Sequence, residues 1–300
     1  MNNLPLIVGF GGYNAAGRSS FHHGFRRTVL NSLNADKRVS TLVSLASLMN
    51  LVRFEDGQYH DKEGDVLSAI DVATKYQATI EQNTLIRRIH EQHFDVDNVP
   101  SFKDVELNSD NVSQFTLSTK ELPNPLPANW SVETVDDQSV KVTIAGNMSV
   151  KMTSFRKLAV QSAGILPTGF VPADEYNSRF HPRGLQLTVL GASDAINSIG
   201  IPWADIMQKV RPDEVAVFAA SGLGQTDDYG MGGYLQARLK NTRATSKQLA
   251  LGMNSMPADF INAYILGSVG TTGATAGACA TFLYNLRLAV DDIKAGRHRV

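Results

Sequence analysis

A single cysteine, Cys279, in 300 residues leaves no internal disulfide to form. The amino terminus, Met1-Asn2-Asn3-Leu4-Pro5, lacks the basic start and apolar run of a signal peptide, so a reducing cytoplasm is the expected compartment. Excess charge of one sign is also missing. Twenty-eight Lys and Arg face 29 Asp and Glu, a formal charge of −1, which leaves no overall field to gather nucleic acid or an anionic membrane. Long apolar runs are absent too: none approaches the about 18 residues of a membrane span. The most apolar stretch, Thr41 to Val52, is broken by Ser44, Ser47 and Asn50. The chain also has no internal repeat and no low-complexity tract. What is there is ordinary globular composition, with 43% apolar residues, enough to build a sizeable core and to exclude disordered or fibrous classes.

The pattern along the chain predicts an α/β fold. Pro5-Leu6-Ile7-Val8-Gly9-Phe10 reads as a buried strand closed by Gly11-Gly12, and Ser19 or Ser20 as the cap of a helix running to about Leu33. Helical spacing recurs from Leu42 to Val52 and from Val66 to about His93. Between Phe102 and Met152 the period changes. Val140-Lys141-Val142-Thr143-Ile144 alternates, and Pro123, Pro125 and Pro127 mark irregular connections, so this stretch is expected to be β-rich. A helix from about Pro182 to Ile199 and a buried strand over Glu214–Ala220 resume the βα rhythm, followed by a glycine turn at Ser221-Gly222-Leu223-Gly224. The chain is therefore expected to be one α/β domain interrupted by an α+β insertion near residues 36–166.

Most of the chemistry lies near the end. Gly267, Gly270, Gly273 and Gly277, among small residues, allow sharp turns and close backbone approach. An amphipathic helix follows Cys279, with Phe282, Leu286, Ala289, Val290 and Ile293 as its expected core stripe and Gly296 as its stop. A thiol in the first turn of a helix faces amide N–H groups and the positive dipole end, which favour thiolate. The small neighbours allow a strained strand-to-helix elbow that would aim the sulfur outward and the Cys279 N–H at a developing oxyanion. The plain alternative is a buried cysteine acting as a small hydrophobe.

Gly277-Ala278-Cys279-Ala280-Thr281, with the helix ending Asp291-Asp292-Ile293-Lys294-Ala295-Gly296-Arg297, resembles the nucleophile elbow of the β-ketoacyl-[acyl-carrier-protein] synthases, condensing enzymes of the thiolase fold. Val8-Gly9-Phe10-Gly11, Phe218-Ala219-Ala220-Ser221-Gly222-Leu223-Gly224 and Asn254-Ser255-Met256-Pro257-Ala258-Asp259 match in the same order. Asn14-Ala15-Ala16-Gly17-Arg18-Ser19-Ser20 and the insertion look most like the long-form bacterial synthases that make acetoacetyl-carrier protein.

The resemblance implies a thiolase-like layered fold, a mostly parallel sheet sandwiched by helices with the cysteine helix buried against it. It also implies a decarboxylative Claisen condensation in fatty-acid synthesis, without metal or redox cofactor. Cys279 would carry the acyl group as a thioester, Ala278 would sit beside the acyl pocket, and Leu223 would match the apolar residue limiting its depth. Acyl carrier protein and acyl-CoA would be partners, in a homodimer formed through the strand after residue 297 and the 250–266 region. The family's two histidines, in a His-Gly-Thr-like turn and a Gly-His pair, have no match among His22, His23, His60, His90, His93, His181 and His298. The chain is thus expected to correspond to the amino-terminal half of a larger enzyme. A non-catalytic scaffold that binds carrier protein and dimerises is the alternative.

Other signals are weaker. Gly9-Phe10-Gly11-Gly12 follows a strand pattern, but Asn14 takes the place of the third glycine in a dinucleotide loop, which disfavours a nucleotide-dependent oxidoreductase. His90-Glu91-Gln92-His93 has the wrong spacing for a zinc motif and reads as an exposed helix end. His22, His23, Arg26 and Arg27, and separately Arg238, Lys240, Arg243 and Lys247, form basic clusters that read either as solvated faces or as docking points for phosphopantetheine or an acidic carrier protein.

Overall fold

The structure is a computed structural model that describes residues 4–20, 33–108 and 112–300. The expected first helix and the basic face at His22, His23, Arg26 and Arg27 lie outside the described residues. The chain divides into two compact units, one formed by Met1–Arg87 with Gly164–Val300, the other by Arg88–Ala163. The second lies within the 36–166 span expected for an insertion.

In the first unit, helix α1 (Ala35–Leu48) starts where Asn34 Oδ1 accepts the Lys37 N–H, earlier than the apolar spacing alone predicts. A three-stranded antiparallel sheet follows, Val52–Glu55, Gln58–Asp61 and Val66–Leu67. Helix α2 (Ala69–Gln82) opens on a reciprocal capping box between Ser68 and Asp71. Leu42, Leu45, Ala46, Val72 and Ile80 join the two helices in one apolar core. The periodicity that predicts helix as far as His93 is overruled at Asn83. Its side chain bonds back to the Thr79 carbonyl, Leu85 takes φ +69°, and Ile86–Arg88 is extended. His90 and His93 consequently sit in an exposed turn, not at a helix end.

The second unit is antiparallel. Val99–Leu107 pairs with Met148–Arg156, and Ser139–Ile144 lies between Ser113–Ser118 and Trp130–Thr134. The alternation at 140–144 works as expected: Val140, Val142 and Ile144 point inward, while Lys141 and Thr143 are more exposed.

Back in the first unit, helix α3 (Arg183–Asn197) agrees with the expected span. It is the rail on which the amino-terminal segment lies. Asp194, its carboxylate fully buried, accepts bonds from Arg18 at 2.7 Å, Ser20 Oγ at 2.6 Å and the Gly12 N–H at 3.0 Å. Helices α4 (Trp203–Met207), α5 (Met231–Gln236), α6 (Ser246–Leu251), α7 (Met256–Ile261) and α8 (Thr281–Lys294) complete the unit.

Three expectations are corrected here. Pro5–Phe10 is not a buried strand: it forms no strand ladder among the described residues, and Ile7 is 82% exposed. The mostly parallel sheet is reduced, among the described residues, to one short parallel ladder, Val217–Phe218 with Thr272–Gly273. Backbone bonds from Ala219 to Gly273 and from Ala216 to Val300 extend it. Helix α8 is buried only in part by its apolar stripe, with Ala289, Val290 and Ile293 half-buried. Phe282 is 74% exposed and Leu286 is exposed, while the buried residues are Thr281, Asn285 and Asp292.

Candidate active site

Cys279 is exposed and lies in a single 3-10 turn, Ala278–Ala280, that runs directly into α8. The residue that makes the turn is Ala278, at φ +47°, the left-handed region that an L side chain enters at a cost of about 1–2 kcal/mol. The backbone strain falls on the residue before the cysteine.

Two side chains of α8 hold this shape. The Thr281 hydroxyl accepts the Gly277 N–H at 2.9 Å and donates to the Ala278 carbonyl at 2.8 Å. The Asn285 amide takes the Thr275 N–H at 3.1 Å, returns a bond to the Thr275 carbonyl at 2.7 Å and donates to the Thr281 carbonyl at 2.8 Å. Both residues are buried.

A second loop meets the elbow from the side. A Cβ placed on Gly222 would stand 2.8 Å from the Ala278 carbonyl oxygen, so the 221–224 turn reaches the elbow because residue 222 has no side chain. Asn254 fixes that turn. Its side-chain amide donates to the Ser221 carbonyl at 2.8 Å and its backbone carbonyl accepts the Ser221 N–H at 2.9 Å. The structure therefore brings Ala278, Cys279 and the Leu223 turn together. Leu223 itself is 84% exposed.

Of the described histidines, His90 and His93 are exposed, and His181 and His298 are engaged elsewhere. His298 Nδ1 lies 2.6 Å from Asp292 at the far end of α8. His181 is held between the hydroxyls of Tyr176 at 3.0 Å and Tyr264 at 3.2 Å. Burial pushes the His181 imidazole below its ordinary value, while burial, aided by Tyr264, pushes Tyr176 up to about 12. Among the described residues no group of three or more His, Cys, Asp or Glu is arranged to hold a metal ion. A hollow of about 990 Å³, lined by Tyr13, Val43, Phe54, Tyr59 and Ile70 among others, follows α1 and is lined by no residue of the elbow. No helix among the described residues is long and apolar enough to cross a membrane.

Thr281 and Asn254 fall within the matching motifs, but the sequence assigns no role to them or to Asn285. Thr281, Asn285 and Asp292 lie about a quarter-turn round the helix from the apolar stripe, where polar residues ordinarily face water, and only the bonds they make reveal their task.

No protein-family model matches the chain. Over 302 aligned residues, covering all of this chain, it is 54% identical to the β-ketoacyl-[acyl-carrier-protein] synthase FabY of Pseudomonas aeruginosa, of which it spans 48%. The resemblance to a β-ketoacyl synthase holds along the whole chain. The crystal structure of the noncanonical ketosynthase FabY from P. aeruginosa superposes with a TM-score of 0.88 at 53% identity, covering 99% of this chain and 47% of that one. The fold is accordingly that of the FabY ketosynthase, thiolase-like with mixed α and β content. The fatty acid synthase alpha subunit stcJ of Emericella nidulans is 27% identical over 86% of this chain and 17% of its own length. The chain thus spans about half of FabY and a smaller part of stcJ.

Proposed function

We propose that this chain is the cysteine-bearing, amino-terminal half of a β-ketoacyl-[acyl-carrier-protein] synthase of fatty-acid synthesis, with Arg88–Ala163 as the main part of its insertion. The observation that carries the reading is an exposed thiol on a strained turn at the start of a helix, in a chain similar throughout to FabY. The same exposure speaks against the cysteine as buried filler and gives the scaffold alternative no support.

The chemistry follows from the residue types. Cys279 Sγ attacks the carbonyl carbon of an acyl thioester, and the oxyanion that forms is met by the Cys279 N–H. Collapse expels the coenzyme A or carrier thiol and leaves the acyl group on sulfur. Malonyl-carrier protein then loses carbon dioxide, and its carbanion attacks the acyl carbon and releases the Cys279 thiolate. The histidines that the family uses for this second stage have no counterpart in the chain. Ala278 flanks the acyl chain and Leu223 limits its depth. Acyl carrier protein and acyl-CoA are the partners, in a cytoplasmic homodimer.

The test is to incubate the full-length protein with acetyl-CoA and map acyl adducts by peptide mass. The adduct is expected on the peptide carrying Cys279 and absent from Cys279→Ala. An adduct that persists in Cys279→Ala overturns the nucleophile assignment.

A further inference from the structure

We infer that Thr281 and Asn285 are positioning residues that set where the Cys279 sulfur stands. The inference rests on reading Cys279 as the nucleophile and goes beyond it by naming what fixes the sulfur in place.

Helix α8 covers polar side chains that an amphipathic helix ordinarily leaves in water. Thr281 and Asn285 are covered while Phe282, Leu283 and Leu286 are exposed. Burying hydroxyl and amide groups is unfavourable unless every one of them is bonded, and here the bonds all go to one short stretch of backbone. Asn285 grips both polar groups of Thr275, four residues before the cysteine, and also the carbonyl of Thr281, two residues after it. Thr281 grips the N–H of Gly277 and the carbonyl of Ala278. The backbone is therefore pinned on both sides of Cys279, by side chains one helical turn apart on a rigid element.

The pinning explains how Ala278 keeps φ +47°. A strained conformation persists only where its surroundings over-determine it, and the Thr281 hydroxyl bonds directly to the carbonyl of the strained residue. An apolar residue of similar size would fill the same space but leave the Thr275, Gly277 and Ala278 groups without these partners. The turn would then relax and the sulfur would shift. A displacement of about 1 Å in a reacting group can cost about 100-fold in rate.

The experiment compares Thr281→Val, Thr281→Ser and Asn285→Leu with the native full-length protein. It reads the rate of acyl transfer from acetyl-CoA to Cys279 and the rate of Cys279 alkylation by iodoacetamide, both per folded molecule, alongside the melting temperature. Thr281→Val and Asn285→Leu are expected to slow acyl transfer about 10- to 100-fold, through kcat with KM little changed. Thr281→Ser keeps both bonds and is expected to stay close to the native rate. The inference is overturned if Thr281→Val acylates at the native rate, if Thr281→Ser is slowed as much as Thr281→Val, or if Asn285→Leu loses rate only in proportion to its folded fraction. Should Asn285→Leu not fold, the Thr281 pair decides. Failure of the parent reading shows itself separately, as a native protein that takes no acyl group on Cys279. Alkylation still tests the inference in that case: native-like rates in Thr281→Ser with altered rates in Thr281→Val support it, and equal rates in all three overturn it.

Discussion

Asp292 and His298 close the far end of α8: one carboxylate oxygen lies 2.6 Å from His298 Nδ1, and the other accepts Arg297 Nε at 2.7 Å. The Thr271 N–H approaches His298 Nε2 at 3.4 Å. Through this contact the end of the helix is tied to the strand that leads toward the elbow. Burial raises the Asp292 pKa, but the bonds from Arg297 and His298 outweigh it and hold the carboxyl below its ordinary 3.8. A carboxyl whose folded value lies below its unfolded one contributes stability that is present above the unfolded value and lost as pH falls through the folded one. Asp292→Asn should therefore melt earlier than the native protein at pH 7, by about 1–3 kcal/mol of stability. The gap should narrow below about pH 3.8. Thermal melts across that range check it, and a gap that does not depend on pH would remove the carboxylate as its cause.

Gly11 lies against the backbone of α3, where an added Cβ would stand 2.2 Å from the Ala195 nitrogen. Neither backbone can yield without breaking the Asp194 network beside it. Gly11→Ala is expected to destabilise the chain by about 2 kcal/mol or more, read by denaturant unfolding. The glycines of 9–12 thus have at least one packing task.

At Ala278 the backbone sign decides the outcome. A glycine there recovers about 1 kcal/mol of left-handed strain and gives back up to about 1 kcal/mol in unfolded-chain entropy. Ala278→Gly should accordingly melt near the native temperature. Ala278→Val, β-branched at φ +47°, should lose about 1–3 kcal/mol. Equal melting temperatures for the two variants would show that the turn does not hold this conformation.

The Gly222 contact predicts an effect on chemistry. An added methyl would press on the Ala278 carbonyl, the group that Thr281 holds, so Gly222→Ala should slow acylation of Cys279 about 10- to 100-fold. The assay is stopped-flow or quenched acyl transfer, with circular dichroism confirming the fold. Native-rate acylation would mean that the 221–224 turn can retreat without disturbing the elbow.

The α3 and α8 spans were legible because helical spacing and terminal glycines or prolines act locally. The alternation at 140–144 was legible for the same reason. Asn83 was not, since a single side-chain bond to Thr79 ends a helix whose apolar spacing continues. Cys279 could be singled out from its small neighbours, but Thr281 and Asn285 could not. Their role depends on backbone groups of residues 275–278, which approach only after the turn has formed. The stripe of α8 is apolar in the sequence, yet Phe282 and Leu286 are exposed in this chain. Periodicity identifies an oily face; it does not say which surface lies against it.

The exposed aromatic and leucine side chains of α8 separate two kinds of measurement. Because Phe282 and Leu283 contribute little burial here, replacing them with hydrophilic residues should barely register in the cohesion of these 300 residues. A mutational screen scored by heat resistance alone would therefore pass over those two side chains and recover the side anchored by Thr281, Asn285 and Asp292.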